Sequence, residues 1–530
     1  MKIAGIFNSH DTSFCVFEDG RPLIHAEYER YLRLKEPIAD SYKFMKEVVD
    51  VDDIDLWVTV SPKENILGDG GRNYIFDEFN KSNKKLSHVI GHHTAHAANA
   101  FFSSNIDESL IITIDGGGLE WGVPGDKPTT LGWYYGKDNK IETLEVHSEG
   151  GAYDAVAATN LGSLWTKYTA DIFELSVGYP HGAQMGTVMA MAAYGDKHRY
   201  INEMMEGMYS FKDQFRPTCN KDLYDVAAGL QFFTEKCFKQ HVEWGIKLFK
   251  DAKGYEPKYL CLAGGTVLNS VCTGKLWDWF DFKDIYIPVT PGDSGMPIGA
   301  VQYVWHHLLD NPRIKWEDNF TPYMGQVYTN DRIRSAIDSF KNKVIIKNVT
   351  DDDVIKLLLD QNIISVYGDG AESGRRALGN RSIIADPRFK EMKDMINEKV
   401  KHRQWFRPFA PSILREEVKN WFDKDIDSPY MQYVINFRKS IQDKIKAVVH
   451  DNGTGRLQTV TEKDNKWYYN FLKKWHKESG VPILLNTSFN DREPIVETPE
   501  DAIKCFLGTN IDALYFRNIN VLIYKEMVDE

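Results

Sequence analysis

The stretch SLIITIDGGG, residues 109–118, is an apolar run that ends at Asp115 and three glycines. Leu110 to Ile114 show no helical period and are apolar or β-branched, the signature of a strand buried on both faces. After it, Gly116-Gly117-Gly118 lack side chains, so backbone N–H groups in such a loop can come close to a phosphate. KYLCLAGGT, residues 258–266, repeats the pattern with Gly264-Gly265 after its own apolar run. The junctions at Asp115 and Gly264 predict the two halves of a duplicated α/β domain.

Outward from these strands, residues 12–29 (TSFCVFEDGRPLIHAEYE) read as a hairpin turning at Asp19-Gly20. Residues 131–147 repeat it around Asp138-Asn139, with the turn chemistry a tight hairpin needs. Small apolar residues between Ala152 and Tyr194 suit close helix packing, and Val226–Lys250 reads as a long helix. After about Tyr323 the pattern changes. DDDVIKLLLDQN (351–362) predicts a capped amphipathic helix and IISVYGDG (363–370) a strand entering a turn. The expected domains are 1–330 and 345–530.

The chain has 64 Lys plus Arg against 76 Asp plus Glu, a net charge of −12, the opposite of a protein that wraps duplex nucleic acid. Six cysteines without a C-x-x-C pair read as free thiols of a reducing compartment. No apolar run reaches the roughly 18 residues that span a bilayer, and the start turns polar at Asn8, early for a signal peptide. The expectation is a soluble, cytoplasmic protein without a membrane partner.

Three groups of residues carry chemistry. In GHHTAHAANAFF (91–102), a helix would put His92 and His96 on one face, about 5–6 Å apart at Cβ, while His93 points elsewhere. With Asp115 and with Asp293 of the PGDSG loop, the set suits Fe(II), with Zn(II) the alternative; capping histidines and ordinary turn aspartates are the plainer reading. The glycine loops form the second group. Any one of them is usually a turn, but two at strand ends, with Asn8-Ser9-His10-Asp11 after the first strand, resemble the phosphate and adenosine loops of an actin-like ATPase. The third lies in residues 374–415, which hold 11 Lys or Arg and 4 Asp or Glu, a local charge of +7. Lys401, Arg403 and Arg407 are interleaved with aromatic and proline residues there. Arg456, Asn486, Thr487 and Ser488 follow, and guanidinium forks with hydroxyls suit bidentate phosphate binding. A solvated helix face and nucleic-acid binding are the competing readings.

Segments along the whole chain are similar to one family: SHDTSFCVFEDG, AEYERYLRLK, HHTAHAANAFF, TIDGGG, MAMAAYG, LCLAGGTVLNS, PGDSG, GRRALGNRSIIADPR, FRPFAPSIL, GTGRLQTV and PILLNTSFNDREPIV. On these the chain is identified as a member of the O-carbamoyltransferases of the nodulation and antibiotic-tailoring type. The resemblance implies α/β and α+β architecture, with an N-terminal actin-like (ASKHA-type) ATPase domain and a C-terminal YrdC-like domain. It implies that carbamoyl phosphate and ATP, with Mg, become carbamoyl-adenylate in the C-terminal domain. The N-terminal domain then passes the carbamoyl group to a hydroxyl of a small-molecule acceptor.

By motif, His92, His96, Asp115 and Asp293 would hold the metal. Lys401, Arg407 and Ser488 would be catalytic, with Arg376, Arg456 and Asn486 binding carbamoyl phosphate and ATP. His10 and Asp11 match the loop beside the transferred group; Gly117, Gly264, Gly265 and Asn269 match the nucleotide loops. His10 is the candidate general base or carbonyl polariser, a structural loop histidine being the alternative. Three positions depart from the family pattern: Thr187 stands where a lysine is usual, Arg33-Leu34-Lys35-Glu36 replaces a run rich in lysine and histidine, and Asn452 replaces an aspartate. A tRNA-modifying threonylcarbamoyl enzyme would share both modules but need a basic RNA-facing surface. Hydrogenase-maturation carbamoyltransferases carry C-x-x-C zinc motifs, absent here, and a non-catalytic nucleotide scaffold would not need the metal set. The acceptor stays open among sugars, aminoglycosides, macrolactams, toxins and hydroxymethylated nucleotides. Nucleic acid itself is disfavoured, and a homodimer is compatible with the sequence.

Overall fold

The first strand, β1 (Lys2–Phe7), is apolar at all but one position and pairs antiparallel with β2 (Ser13–Glu18), which pairs antiparallel with β3 (Arg21–Glu27). Asp19 and Gly20 turn the second hairpin with φ of 48° and 77°, the pair of positive values that matches strand twist. β4 (Leu56–Val60) and β5 (Leu86–Ile90) add parallel to β1, giving the order β3-β2-β1-β4-β5. A computed structural model describes this and the rest of residues 1–60, 77–120, 128–148, 157–315 and 322–526. The chain divides into two units, Met1–Phe320 and Thr321–Glu530.

Unit 1 builds the same sheet twice. β6 (Glu108–Gly118), β7 (Thr129–Lys137) and β8 (Lys140–Ser148) form an antiparallel meander, and a short ribbon, β9 (Val177–Gly178) and β10 (Gly182–Ala183), follows. β11 (Tyr259–Ala263) and β12 (Asp284–Tyr286) then add parallel to β6, in the order β12-β11-β6-β7-β8. Strand order and senses repeat those of the first sheet. The duplication therefore runs β1–β5 against β6–β12. This corrects the expectation that Asp115 and Gly264 mark one half each: both sit on adjacent strands of the second sheet. The counterpart of the Asp115 junction is the Asn8–Thr12 turn after β1, which contains no glycine and so does not look like its partner.

Each half ends in a helix that packs on the other half's sheet. His92–Phe102 follows β5 and lies on β6, β7 and β11; Met296–Gln302 follows β12 and lies on β1, β2 and β4. The two helices also pack on each other. Their backbones touch so closely that a Cβ at Gly299 would lie 1.9 Å from the carbonyl oxygen of Ala95. The long helix is Asn220–Lys253, 34 residues closed by Gly254 in the left-handed region. Of the small-residue stretch, Leu161–Asp171 and Met185–Met191 are helical, and residues 152–156 lie outside the described residues.

In unit 2 the strands are β13 (Val344–Asn348), β14 (Ile364–Tyr367), β15 (Arg381–Ala385), β16 (Ala410–Leu414), β17 (Tyr433–Asn436), β18 (Thr454–Val460), β19 (Ile483–Ser488), β20 (Ala513–Phe516) and β21 (Val521–Lys525). They make one mixed sheet in the order β13-β21-β20-β14-β15-β19-β16-β18-β17. The predicted helix is Asp351–Leu359, capped by Thr350. Register pairs Tyr367 with Arg381, Ser382 with Ser488 and Asn486 with Ala410. The ends of β14 and β19 and the starts of β15 and β16 therefore share one sheet edge. No helix among the described residues is long and apolar enough to cross a membrane.

Because Gly299 is where the exchanged helices meet, Gly299→Ala should destabilise unit 1 by about 1–3 kcal/mol, the usual cost of overpacking. Thermal unfolding measures it, and an unchanged Tm would mean that the helix contact gives way freely.

Candidate functional site

The first two turns of helix His92–Phe102 carry both imidazoles on one face, as the four-residue spacing predicts. His92 Nε2 and His96 Nε2 each lie 2.9 Å from Asp115 Oδ2. Asp293 approaches from the start of the other exchanged helix, with Oδ1 3.5 Å from His96 Nε2. One donor atom from each of these four residues lies within 4.8 Å of the other three. Two neutral-capable imidazoles and two carboxylates converging on one point are a donor set for a divalent ion, and the four residues fit that use. Each half of the unit contributes: the imidazoles follow β5, and Asp115 ends the straight part of β6.

Asp115 is fixed by its other oxygen. Oδ1 accepts the N–H of Gly116 at 2.6 Å and of Gly265 at 3.3 Å, which leaves Oδ2 aimed at the imidazoles. Burial would raise this carboxyl, but bonds from His92 and His96 hold it well below the usual carboxylate range. For His96 burial again opposes, and the bonds and charges of Asp115 and Asp293 raise it to about 9. His93 is turned inward. Its ring bonds Thr113 Oγ1 at 2.7 Å and Thr129 O at 2.8 Å, and burial, then the like charges of His92 and His96, push it down to about 3.

The glycines make room for this cluster. A Cβ on Gly118 would fall 2.0 Å from His92 Cγ, so no other residue allows the helix to start there. Gly117 has φ of 128° beside it, and Gly264 donates its N–H to Pro291 O at 2.7 Å. Asn269 caps helix Ser270–Trp279 through the N–H of Cys272 and bonds Gln231 Oε1 at 2.9 Å. In the β1–β2 turn His10 is 57% exposed at its side chain, with Nδ1 3.2 Å from Asp11 Oδ2 and Nε2 3.4 Å from Asp293 Oδ2. Sequence reasoning missed Glu120, whose carboxylate accepts the N–H of His93 at 2.7 Å and of Thr94 at 3.3 Å. Its position two residues beyond the glycine run was the available signal.

In unit 2 the shared sheet edge gathers cations. The charges of Arg376, Arg403 and Arg407 act on Arg456, and that of Arg407 acts on Arg376 and Arg403. Burial, then Arg375 and Arg407, pushes Arg376 down to about 10, and burial pushes Arg407 to about 10. Arg456 is lowered by burial and then by Arg376, Arg407 and Arg403. Guanidiniums this close together suit a polyanion that would offset their repulsion. Lys401 is buried and differs from them. Its ammonium donates to Asn490 Oδ1 at 2.6 Å, Asn490 O at 2.8 Å and Ser488 Oγ at 3.3 Å, and also to the Ser488 carbonyl. Asn486 is buried beneath the loop, with its amide on Ala377 O at 3.0 Å and Gln458 Oε1 at 2.8 Å. Asn490 and Gln458 were not singled out from sequence, because neither residue type signals a charge.

Residues 38–302 match the family profile described as carbamoyltransferase N-terminus, and residues 355–523 the one described as carbamoyltransferase C-terminus. The nodulation protein NolO of Bradyrhizobium diazoefficiens is 32% identical over 80% of this chain and 77% of its own. An uncharacterized protein of Synechocystis sp. is 32% identical over 81% of this chain and 75% of its own. One from Methanocaldococcus jannaschii is 28% identical over 97% and 98%. Among solved structures, T. kodakarensis HypF is 14% identical with a TM-score of 0.39, covering 58% of this chain and 48% of its own, a likeness too slight to bear on fold or activity.

His92→Ala and Asp293→Ala should each lose bound divalent metal, measured by elemental analysis of the purified variants. Full occupancy in both would remove these side chains from any metal site.

Proposed function

The chain belongs to the carbamoyltransferase family, and on that premise we propose that it performs ATP-dependent O-carbamoylation in two half-reactions. The observation that carries this division is the separation of charge: the His–Asp cluster lies in unit 1 and the guanidinium cluster in unit 2. The repeated sheet order supports an actin-like ATPase reading of unit 1. A YrdC-like reading of unit 2 rests on its ALGNRS, RPFAPS and LLNTSFN motifs.

In unit 2 water converts carbamoyl phosphate to carbamate and phosphate. A carbamate oxygen then attacks the α-phosphorus of ATP, which enters with Mg, and pyrophosphate leaves. Arg376, Arg407 and Arg456 stabilise the charge on the phosphoryl oxygens, while Lys401 holds the Ser488 loop that forms the wall. The product, carbamoyl-adenylate, is a mixed anhydride that survives only where water is kept from it.

In unit 1 the acceptor hydroxyl attacks the carbamoyl carbon, AMP leaves, and its phosphate takes up the hydroxyl proton, while His10, held protonated against burial by Asp11 and Asp293 at its two nitrogens, polarises the carbamoyl carbonyl. Gly117, Gly264, Gly265 and Asn269 receive the nucleotide. A divalent ion on His92, His96, Asp115 and Asp293, Fe(II) in preference to Zn(II), would supply Lewis acidity. The acceptor is a hydroxyl-bearing small molecule.

Arg456→Ala should cut pyrophosphate release from ATP and carbamoyl phosphate by about 100-fold or more, the scale of losing a preorganised charge. His96→Ala should release pyrophosphate near the wild-type rate but fail to use synthetic carbamoyl-adenylate. If Arg456→Ala cannot use the supplied adenylate while His96→Ala can, the two units have the reverse roles.

A further inference from the structure

We propose that Glu372, resting on the reading of unit 2 given above, is the positioning residue that holds Arg376 at the anion site. Glu372 follows β14 and is 1% exposed. Its Oε1 accepts three backbone N–H groups of the loop that begins with it: Leu378 at 2.7 Å, Asn380 at 2.8 Å and Arg381 at 3.1 Å. One carboxylate oxygen thus closes Glu372–Arg381 into a ring, as an anion does in a nest of amides.

The same loop is gripped at its remaining backbone groups. Asn486 donates to Ala377 O at 3.0 Å, Tyr323 and Gln458 donate to Leu378 O at 2.8 and 3.1 Å, and Gly379 N–H bonds Ser382 Oγ at 2.9 Å. Between the carboxylate and the first gripped carbonyl lie only Ser373, Gly374, Arg375 and Arg376. Arg376 stands among cations, since the charges that act on it are those of Arg375 and Arg407. A locked backbone fixes the point and direction from which the Arg376 side chain leaves the loop beside these like charges. Glu372 reaches the loop through the three backbone N–H groups that its Oε1 accepts. What the loop requires of position 372 is a side-chain oxygen that accepts three N–H groups, a requirement glutamine also meets.

The test compares wild type, Glu372→Ala, Glu372→Gln and Ser382→Ala in two assays. One is pyrophosphate release from ATP and carbamoyl phosphate; the other is binding of pyrophosphate followed by calorimetry. Glu372→Ala should raise the KM for carbamoyl phosphate and the Kd for pyrophosphate about tenfold or more, the scale of losing buried hydrogen bonds that orient a ligand group. Glu372→Gln should restore both to near wild type. Ser382→Ala, which frees only Gly379, should shift both in the same direction by less, and it keeps the test informative if Glu372→Ala fails to fold. Unchanged KM and Kd in a folded Glu372→Ala, or in Ser382→Ala where that variant alone folds, would overturn the proposal. So would Glu372→Gln as impaired as Glu372→Ala, because charge rather than loop bonding would then matter. A wild type that binds pyrophosphate but releases none from substrates would refute the catalytic reading, while the binding comparison would still decide the role of Glu372.

Discussion

A carboxylate with two different jobs for its two oxygens sets the geometry of unit 1. Asp115 Oδ1 accepts the N–H groups of Gly116 and Gly265, and Oδ2 faces two imidazoles. A buried carboxylate lacking such partners costs several kcal/mol, so each neighbour is constrained in turn. Strand β11 must end beside β6 to deliver residue 265, and residue 118 must be glycine to admit His92. The helix bearing both histidines must reach across from the other half of the unit. The exchange of helices between the two sheets is what allows that reach, with each helix's N-terminus arriving at the end of the opposite sheet.

Unit 2 works with the opposite sign. Its sheet edge collects guanidiniums, among which Arg456 is lowered by burial and then by Arg376, Arg407 and Arg403, while the buried carboxylate of Glu372 is occupied with backbone amides. Lys401 shows why a count of cations misleads. It lies in the basic window, but its ammonium is surrounded by oxygens of Ser488 and Asn490, and it shapes a loop. Arg keeps a delocalised charge that can share space with another Arg, whereas a buried ammonium needs dedicated acceptors.

Much of this was legible in the sequence, and the illegible part has a physical pattern. The β6 strand, both hairpins and the His92–His96 face could be read because period and turn chemistry are local. The true repeat could not. The Asn8–Thr12 turn does the work of the Asp115 junction without a glycine, and topology rather than residue type makes them equivalent. Glu372 was invisible for another reason, since a carboxylate that accepts backbone N–H groups leaves no pattern in residue types, and Glu120 offered only its place two residues beyond the glycine run. His93 was expected to point away, and its bonds to Thr113 and Thr129 give the cause.

The three departures from the family pattern separate under the same logic. Asn452 Oδ1 accepts the Thr454 hydroxyl at 2.7 Å and its N–H at 3.3 Å. An aspartate would offer the same oxygen, so that exchange preserves the turn leading into β18 and Arg456. Glu36, in the left-handed region at φ of 52°, accepts the N–H of Ala183 at 3.0 Å. It ties the Arg33–Glu36 segment to the β9–β10 ribbon, a bond that a lysine or histidine at that position could not make by accepting as a carboxylate does. Thr187 is different. It is buried within helix Met185–Met191, where a lysine's charge would demand acceptors of its own. Of the three departures, Glu36 and Thr187 lie in unit 1 and Asn452 in unit 2.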